Sequence, residues 1–318
     1  MAQKSFLHKL EEKMEKKKKG SEWKLVAIFI APLILLTMGL FCMKSSLPFR
    51  VEEIRPTRNF SFQVAQTLSQ EELERFRAVF SQPFTYSREG DQFYVFASQK
   101  GDYLLTFFKM RKLTPKYWLN YIPFPWLEQQ RLNKIGHRER ARQELFGSFK
   151  TAFEEFRHQT GLLVVHLFGT NWFKSKVHLI DQEGSSHWVS LDRVPFILQK
   201  KPMPFSQHIE HLLEQGKNKE AVSSLLFILD LVKDRCQRGL ADQDSFLECD
   251  YGFIGNNPVF IDVGQMVPDD SLKTSLNTLR EVFKVSQKIT AWLEESHPSL
   301  VKEFQKEAND LLSLLEEL

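Results

Sequence analysis

The sequence predicts an α+β protein in which a single N-terminal transmembrane helix precedes a domain built sheet first and helices after. Three observations carry this. Leu25–Met43 is an apolar run of 19 uncharged residues. Between Phe84 and Met110, short β-forming stretches alternate with glycine turns. From Pro204 onward, apolar residues recur at helical spacing.

Leu25–Met43 is long enough as a helix to cross about 30 Å of hydrocarbon, with Thr37 its clearly polar member. Pro32 is tolerated in such a helix. A cleavable signal peptide is the alternative, although no small-x-small site follows; Gly39-Leu40-Phe41-Cys42 also suggests lipoprotein processing, with Phe41 too bulky for it. Residues 1–24 hold eight Lys, including Lys16–Lys19. The positive-inside bias then predicts a cytoplasmic tail and a main domain on the extracytoplasmic or lumenal side. The expected organisation is a basic tail over 1–24, the span over 25–43, a stalk with a short helix over 44–81, a sheet part over 82–202 and a helical part over 203–318.

The 318 residues leave room for one substantial domain behind the anchor, and 28 Phe promise a well-filled interior. Basic and acidic residues nearly cancel (43 against 40, net +3), and the one dense basic run is the tail, so nucleic acid is not an expected partner. Three cysteines exclude a disulfide scaffold and show no zinc spacing; Cys236 and Cys249 are either a pair or two buried thiols.

Within the domain, Ser69 followed by Glu71 and Glu72 starts a helix to Phe80. Phe84–Ser87, Gln92–Ser98 and Tyr103–Met110, parted by Glu-Gly-Asp and Lys-Gly-Asp, form an antiparallel meander. Thr114–Gly136, rich in Trp, Tyr and Pro, is an inserted loop. Arg138–Gln159 is a helix with Leu145, Phe149, Phe153 and Phe156 on one face. Leu162–Leu167, Val177–Asp181 and Trp188–Lys200 complete a sheet of about five strands, and helices follow over Pro204–Leu213, Glu220–Arg238 and Ser271–Leu318.

Arg238-Gly239-Leu240-Ala241-Asp242-Gln243-Asp244 then makes a helix exit and acidic loop. Tyr251–Ile254 and Val259–Ile261 flank a Gly-Asn-Asn-Pro turn, so a hairpin delivers Asp262, with Gly264 just after it. Carboxylates gathered from a loop and a strand end are hard oxygen ligands suited to Mg²⁺.

This segment resembles the catalytic region of the protein-kinase-like superfamily, including its aminoglycoside-phosphotransferase branch. The order of meander, helix, strands, hinge, helices, acidic loop and hairpin over roughly residues 82–266 matches it too. The resemblance implies two lobes, ATP and Mg²⁺ as cofactors, and phosphoryl transfer to a hydroxyl of an unidentified protein or small-molecule acceptor. Ile261-Asp262-Val263-Gly264 matches the Asp-x-Gly motif. By the same resemblance Asp262 and Asp250 are metal ligands, and Asp244, or else Asp242, is the catalytic base. Lys109 grips the nucleotide phosphates, and Glu144, with Glu154 in reserve, orients Lys109. The sequence departs from the family where Asp242-Gln243 replaces His-Arg, where Cys249 stands in the Asn slot, and where Gly90 is alone in the phosphate loop. These departures keep two other readings open: a pseudokinase that binds ligand or protein, and a membrane-tethered interaction protein without catalysis.

Overall fold

The computed structural model describes residues 49–57, 68–117, 121, 128–242 and 246–316. The chain divides into two compact units, Met1–Phe49 and Arg50–Leu318, and the second carries every helix and strand among the described residues. Helix α1 (Val51–Ile54) is a single turn, and α2 (Gln70–Phe80) opens with a complete capping box. There the Ser69 hydroxyl accepts from Glu72 N at 3.1 Å, and the Glu72 carboxylate accepts from Ser69 N at 3.0 Å.

Strands β1 (Phe84–Glu89), β2 (Phe93–Ser98) and β3 (Tyr103–Phe108) form the meander, followed by the one-turn helix α3 (Met110–Leu113) and the long α4 (Glu128–Thr160). After α4 come β4 (Leu162–His166), β5 (Lys176–Ile180), β6 (Ser186–Ser190) and β7 (Phe196–Lys200). They assemble into one sheet of order β4-β7-β3-β2-β1-β5-β6, antiparallel except where β1 meets β5. The sheet has seven strands rather than about five: Trp188–Lys200, expected as one strand, divides at the Leu191–Arg193 turn into β6 and β7, which lie on opposite sides of the meander. Asp181 closes the β5–β6 hairpin, its Oδ1 accepting from Glu183 N and Ser185 N at 2.9 and 2.8 Å.

Phenylalanine joins α4 to the sheet. Phe108 of β3 lies edge-on to Phe146 and Phe149, with ring centroids 4.9 and 5.4 Å apart. Leu145, Phe153 and Phe156 are buried on the same helix face. Past β8 (Met203–Pro204), helices α5 (Phe205–Glu214) and α6 (Asn218–Gln237) lead into β9 (Leu240–Asp242). The one-turn α7 (Leu247–Asp250), the hairpin β10 (Tyr251–Ile254) and β11 (Asn257–Phe260), and β12 (Met266–Pro268) follow, before α8 (Ser275–Ser296) and α9 (Val301–Glu316). β10 pairs with both β11 and β8, and β12 pairs with β9.

The single-pass membrane class and the extracytoplasmic or lumenal location are corrected. Among the described residues no helix is long and apolar enough to cross a membrane. The reason is amphipathicity: α6, α8 and α9 each bury one apolar stripe and turn charged residues outward. Leu25–Met43, on which the expectation rested, lies outside the described residues, as do residues 118–120 and 122–127 of the Trp-rich loop.

The approach of β8 to β10 demands a glycine. A Cβ at Gly252 would meet Met203 O at 2.6 Å and Ile261 Cδ1 at 2.8 Å. Gly252→Ala should therefore destabilise the domain by about 1–3 kcal/mol, lowering Tm by roughly 2–4 °C per kcal/mol. Gly147→Ala, in α4 with nothing within 4 Å of the added Cβ, should stabilise by about 0.5–1 kcal/mol. Thermal melts of the two variants check the contrast, and equal shifts would contradict it.

Candidate functional site

The β10–β11 hairpin sets the site. At its exit Val263 is buried and anchors the chain, leaving Asp262 exposed beside it. Gly264 N donates to Asp262 Oδ1 at 2.9 Å, fixing the carboxylate against the turn. A Cβ on Gly264 would touch Leu145 Cδ1 of α4 at 3.4 Å and Phe93 Cζ of β2 at 3.6 Å. The Asp-x-Gly turn thus reaches both α4 and the meander.

Asp250 ends α7 immediately before β10. Its carbonyl accepts from Ile261 N at 2.7 Å, which puts Asp250 next to the residue preceding Asp262. Its carboxylate is buried, 4% exposed, and accepts from Phe246 N. Burial pushes the Asp250 carboxyl up to about 7; the Asp242 and Asp262 charges add to this, while Lys288 and the Phe246 hydrogen bond oppose it.

Asp242 faces inward. The β9–β12 pairing sets it opposite Met266, just past the Asp-x-Gly turn. Its carboxylate lies 3.2 Å from Arg235 Nη1, at ion-pair distance without hydrogen-bond alignment, and Arg235 Nη2 is 3.6 Å from Glu281. Arg235 is 1% exposed, beneath the Phe260 ring with its guanidinium 5.8 Å from the centroid. Asp242 is thus engaged by Arg235, and Asp244, the other candidate base, lies outside the described residues, within 243–245.

Lys109 caps the start of α3 at the end of β3 and is 2% exposed. Its ammonium pairs with the Glu89 carboxylate, donates to Gly90 O at 2.7 Å and sits 4.6 Å from the Tyr94 ring centroid. It is therefore engaged by the β1–β2 turn. Glu144 and Glu154 are both exposed on α4, and the acid paired with Lys109 is Glu89. Cys236 and Cys249 are both free thiols, the first buried and the second exposed. Among the described residues no group of three or more His, Cys, Asp or Glu side chains is placed to hold a metal ion.

Sequence reasoning missed Glu89 and Arg235. Glu89 carried no signal, since Arg-Glu-Gly-Asp reads as a plain turn. Arg235 did: it continues the buried stripe Leu225, Ile228 and Val232 at helical spacing, and an arginine there requires a buried acid.

No family model and no curated protein sequence matches the chain. Among solved structures it is similar to Rv3197 of Mycobacterium tuberculosis in complex with erythromycin, at 14% identity and a TM-score of 0.31, covering 76% of this chain and 61% of that one. It is also similar to the bifunctional kinase-methyltransferase WbdD, at 14% identity and a TM-score of 0.31, over 69% of this chain and 43% of that one. A further WbdD structure, with the kinase inhibitor LY294002, matches at 13% identity and a TM-score of 0.30, over 70% and 45%. The chain thus spans less than two thirds of the length of these proteins. Among the described residues the elements follow the order read from the sequence: meander, helix, three further strands and then β7 of the same sheet, helices, hairpin and Asp-x-Gly.

Removing the guanidinium strands a buried carboxylate, so Arg235→Met should cost about 3–5 kcal/mol. Adding Asp242→Asn should recover part of this, and strictly additive losses in urea melts would refute the pairing. Asp250 gives a pH signature. An unfolded aspartate titrates near pH 4, whereas the folded group titrates at about 7. Between those values the folded state holds a proton the unfolded chain has lost. The contribution is complete below about pH 4 and is lost as pH rises through about 7. Stability should fall between about pH 5 and about pH 8, and Asp250→Asn should flatten that fall in urea melts at both pH values.

Proposed function

We propose that this domain binds a nucleoside triphosphate with Mg²⁺ and transfers a phosphoryl group to a hydroxyl acceptor. The observation carrying the reading is that the Ile261 N to Asp250 O bond sets the backbone of Asp250 one residue from Asp262 at the hairpin exit, within electrostatic reach. Burial raises the Asp250 carboxyl and the Asp242 and Asp262 charges add to it, and a divalent cation would relieve that repulsion. Mg²⁺ is commonly held by one or two carboxylates and completes its shell with water and phosphate oxygens. Bound there, the ion would neutralise charge on the transferring group. Asp250 would enter as the deprotonated form, and Asp262 would offer the oxygen not held by Gly264 N. Asp244 would orient the acceptor hydroxyl and take its proton. Lys109 would have to exchange Glu89 for phosphate.

That last requirement supports a second reading, a module that binds nucleotide without transfer. Lys109 is already engaged by Glu89 and Gly90 O, and a buried ammonium gives up such partners at a cost.

Nucleotide titrations separate the two. ATP with Mg²⁺ should raise Tm by mass action, more than ATP with chelator, and Asp262→Asn should abolish the metal-dependent part. Asp244→Asn should retain the shift and lose transfer of the γ-phosphate to water or acceptor. A metal-dependent shift with no transfer by the wild-type chain selects the binding module. No shift with any nucleotide on folded protein overturns both.

A further inference from the structure

A cavity of about 820 Å³ opens between the end of α4, the adjoining β4, α6 and the β10–β11 turn. It lies within the volume range of small-molecule sites. None of Lys109, Glu144, Asp242, Asp250 or Asp262 lines it. Its apolar wall is Leu162, Leu231, Ile254 and Val259, with half-exposed Phe227 also contributing. Gly161, at φ +64°, brings the α4–β4 turn so close to the hairpin that a Cβ there would meet Ile254 Cδ1 at 2.5 Å.

The charges around this wall do not balance. Asp230 and Asp234 contribute to the lining, but each is already paired along its own helix, with Lys233 at 2.7 Å and with Arg238 at 3.1 Å. Arg157 is 3.6 Å from Glu72 and donates to Leu163 O at 3.3 Å. Arg75 and Lys200 also line the cavity, and among the described residues neither has an acid partner. The charge left for an occupant to meet is positive, beside an apolar wall large enough for a ring.

We propose that this cavity is a second ligand site, for a small molecule that joins an anionic phosphate or carboxylate to a flat apolar body. Arg75 and Lys200 would bind the anion, and Phe227, Leu231, Ile254 and Val259 would cover the body. The proposal rests on the fold and the cavity, not on phosphoryl transfer, and stands whether or not the domain binds nucleotide.

Calorimetric titration of the full chain with phenyl phosphate tests it, with inorganic phosphate and benzoate as companion probes. Phenyl phosphate should bind more tightly than inorganic phosphate, because the ring adds burial; benzoate should also bind. Arg75→Gln with Lys200→Gln should weaken phenyl phosphate about tenfold or more, as the loss of a charge-assisted hydrogen bond predicts. Both side chains are exposed, so the melting curve of the double variant should overlay that of the parent, and the single variants serve if it does not. Absence of binding, or equal affinity in the variants, would each overturn the proposal. Failure here leaves the nucleotide titrations untouched.

Discussion

Packing like charges at the end of one hairpin is the constraint around which this part of the domain is arranged. Asp242, Asp250 and Asp262 come from three successive segments and influence one another electrostatically. Each is accommodated differently. Asp242 is neutralised by a buried arginine, Asp250 holds a proton to about pH 7, and Asp262 stays exposed to solvent. Burying three unpartnered carboxylates together would cost far more than a domain's net stability, so the chain spends one cation, one proton and one opening to water on the problem. The backbone bond from Ile261 N to Asp250 O sets Asp250 one residue from Asp262 across the hairpin exit, so the buried acid and the exposed one stay within electrostatic reach.

The same logic explains Lys109. An ammonium 2% exposed must find an acid nearby. The α4 helix turns its buried face to Phe108 with phenylalanines, and Glu144 falls on the exposed side. With that side of the helix committed to aromatic packing, the strand-end Glu89 supplies the charge, helped by the Gly90 carbonyl and the Tyr94 ring. Packing between helix and sheet thus decides which acid a lysine can reach.

How much of this was legible in the sequence depends on the range of the forces involved. The hairpin, its turn and the short strands around it depend on local backbone preferences, so Gly-Asn-Asn-Pro between β-formers was readable. So were the helices that bury one face, from the one that Ser69 starts to those of the C-terminal part. β5 was read as a strand, but β6 and β7 were read as one stretch, Trp188–Lys200, and the pairing of β5 with β1 was not read because it is set by contacts between residues far apart in sequence. The partner of Lys109 was not legible for the same reason: a 20-residue separation carries no periodic signal. Arg235 was legible in principle, since one charge within an apolar helical stripe forecasts a buried partner.

The hairpin also links regions that the sequence keeps apart. Its first strand bonds to β8 just past β7, its exit turn reaches α4 and β2, and its own turn borders the cavity beside Arg75 and Lys200. Rigid packing is needed at the first of these, where Gly252 admits no side chain without moving the Met203 carbonyl or Ile261. It is looser at the Gly264 end, where the nearest neighbours are the side-chain tips of Leu145 and Phe93 and the Asp262 carboxylate. A carboxylate on the looser end of a firmly anchored hairpin can adjust to a ligand while its position in the fold stays fixed. Asp242 is the opposite case, because its inward ion pair with Arg235 fixes it to the core.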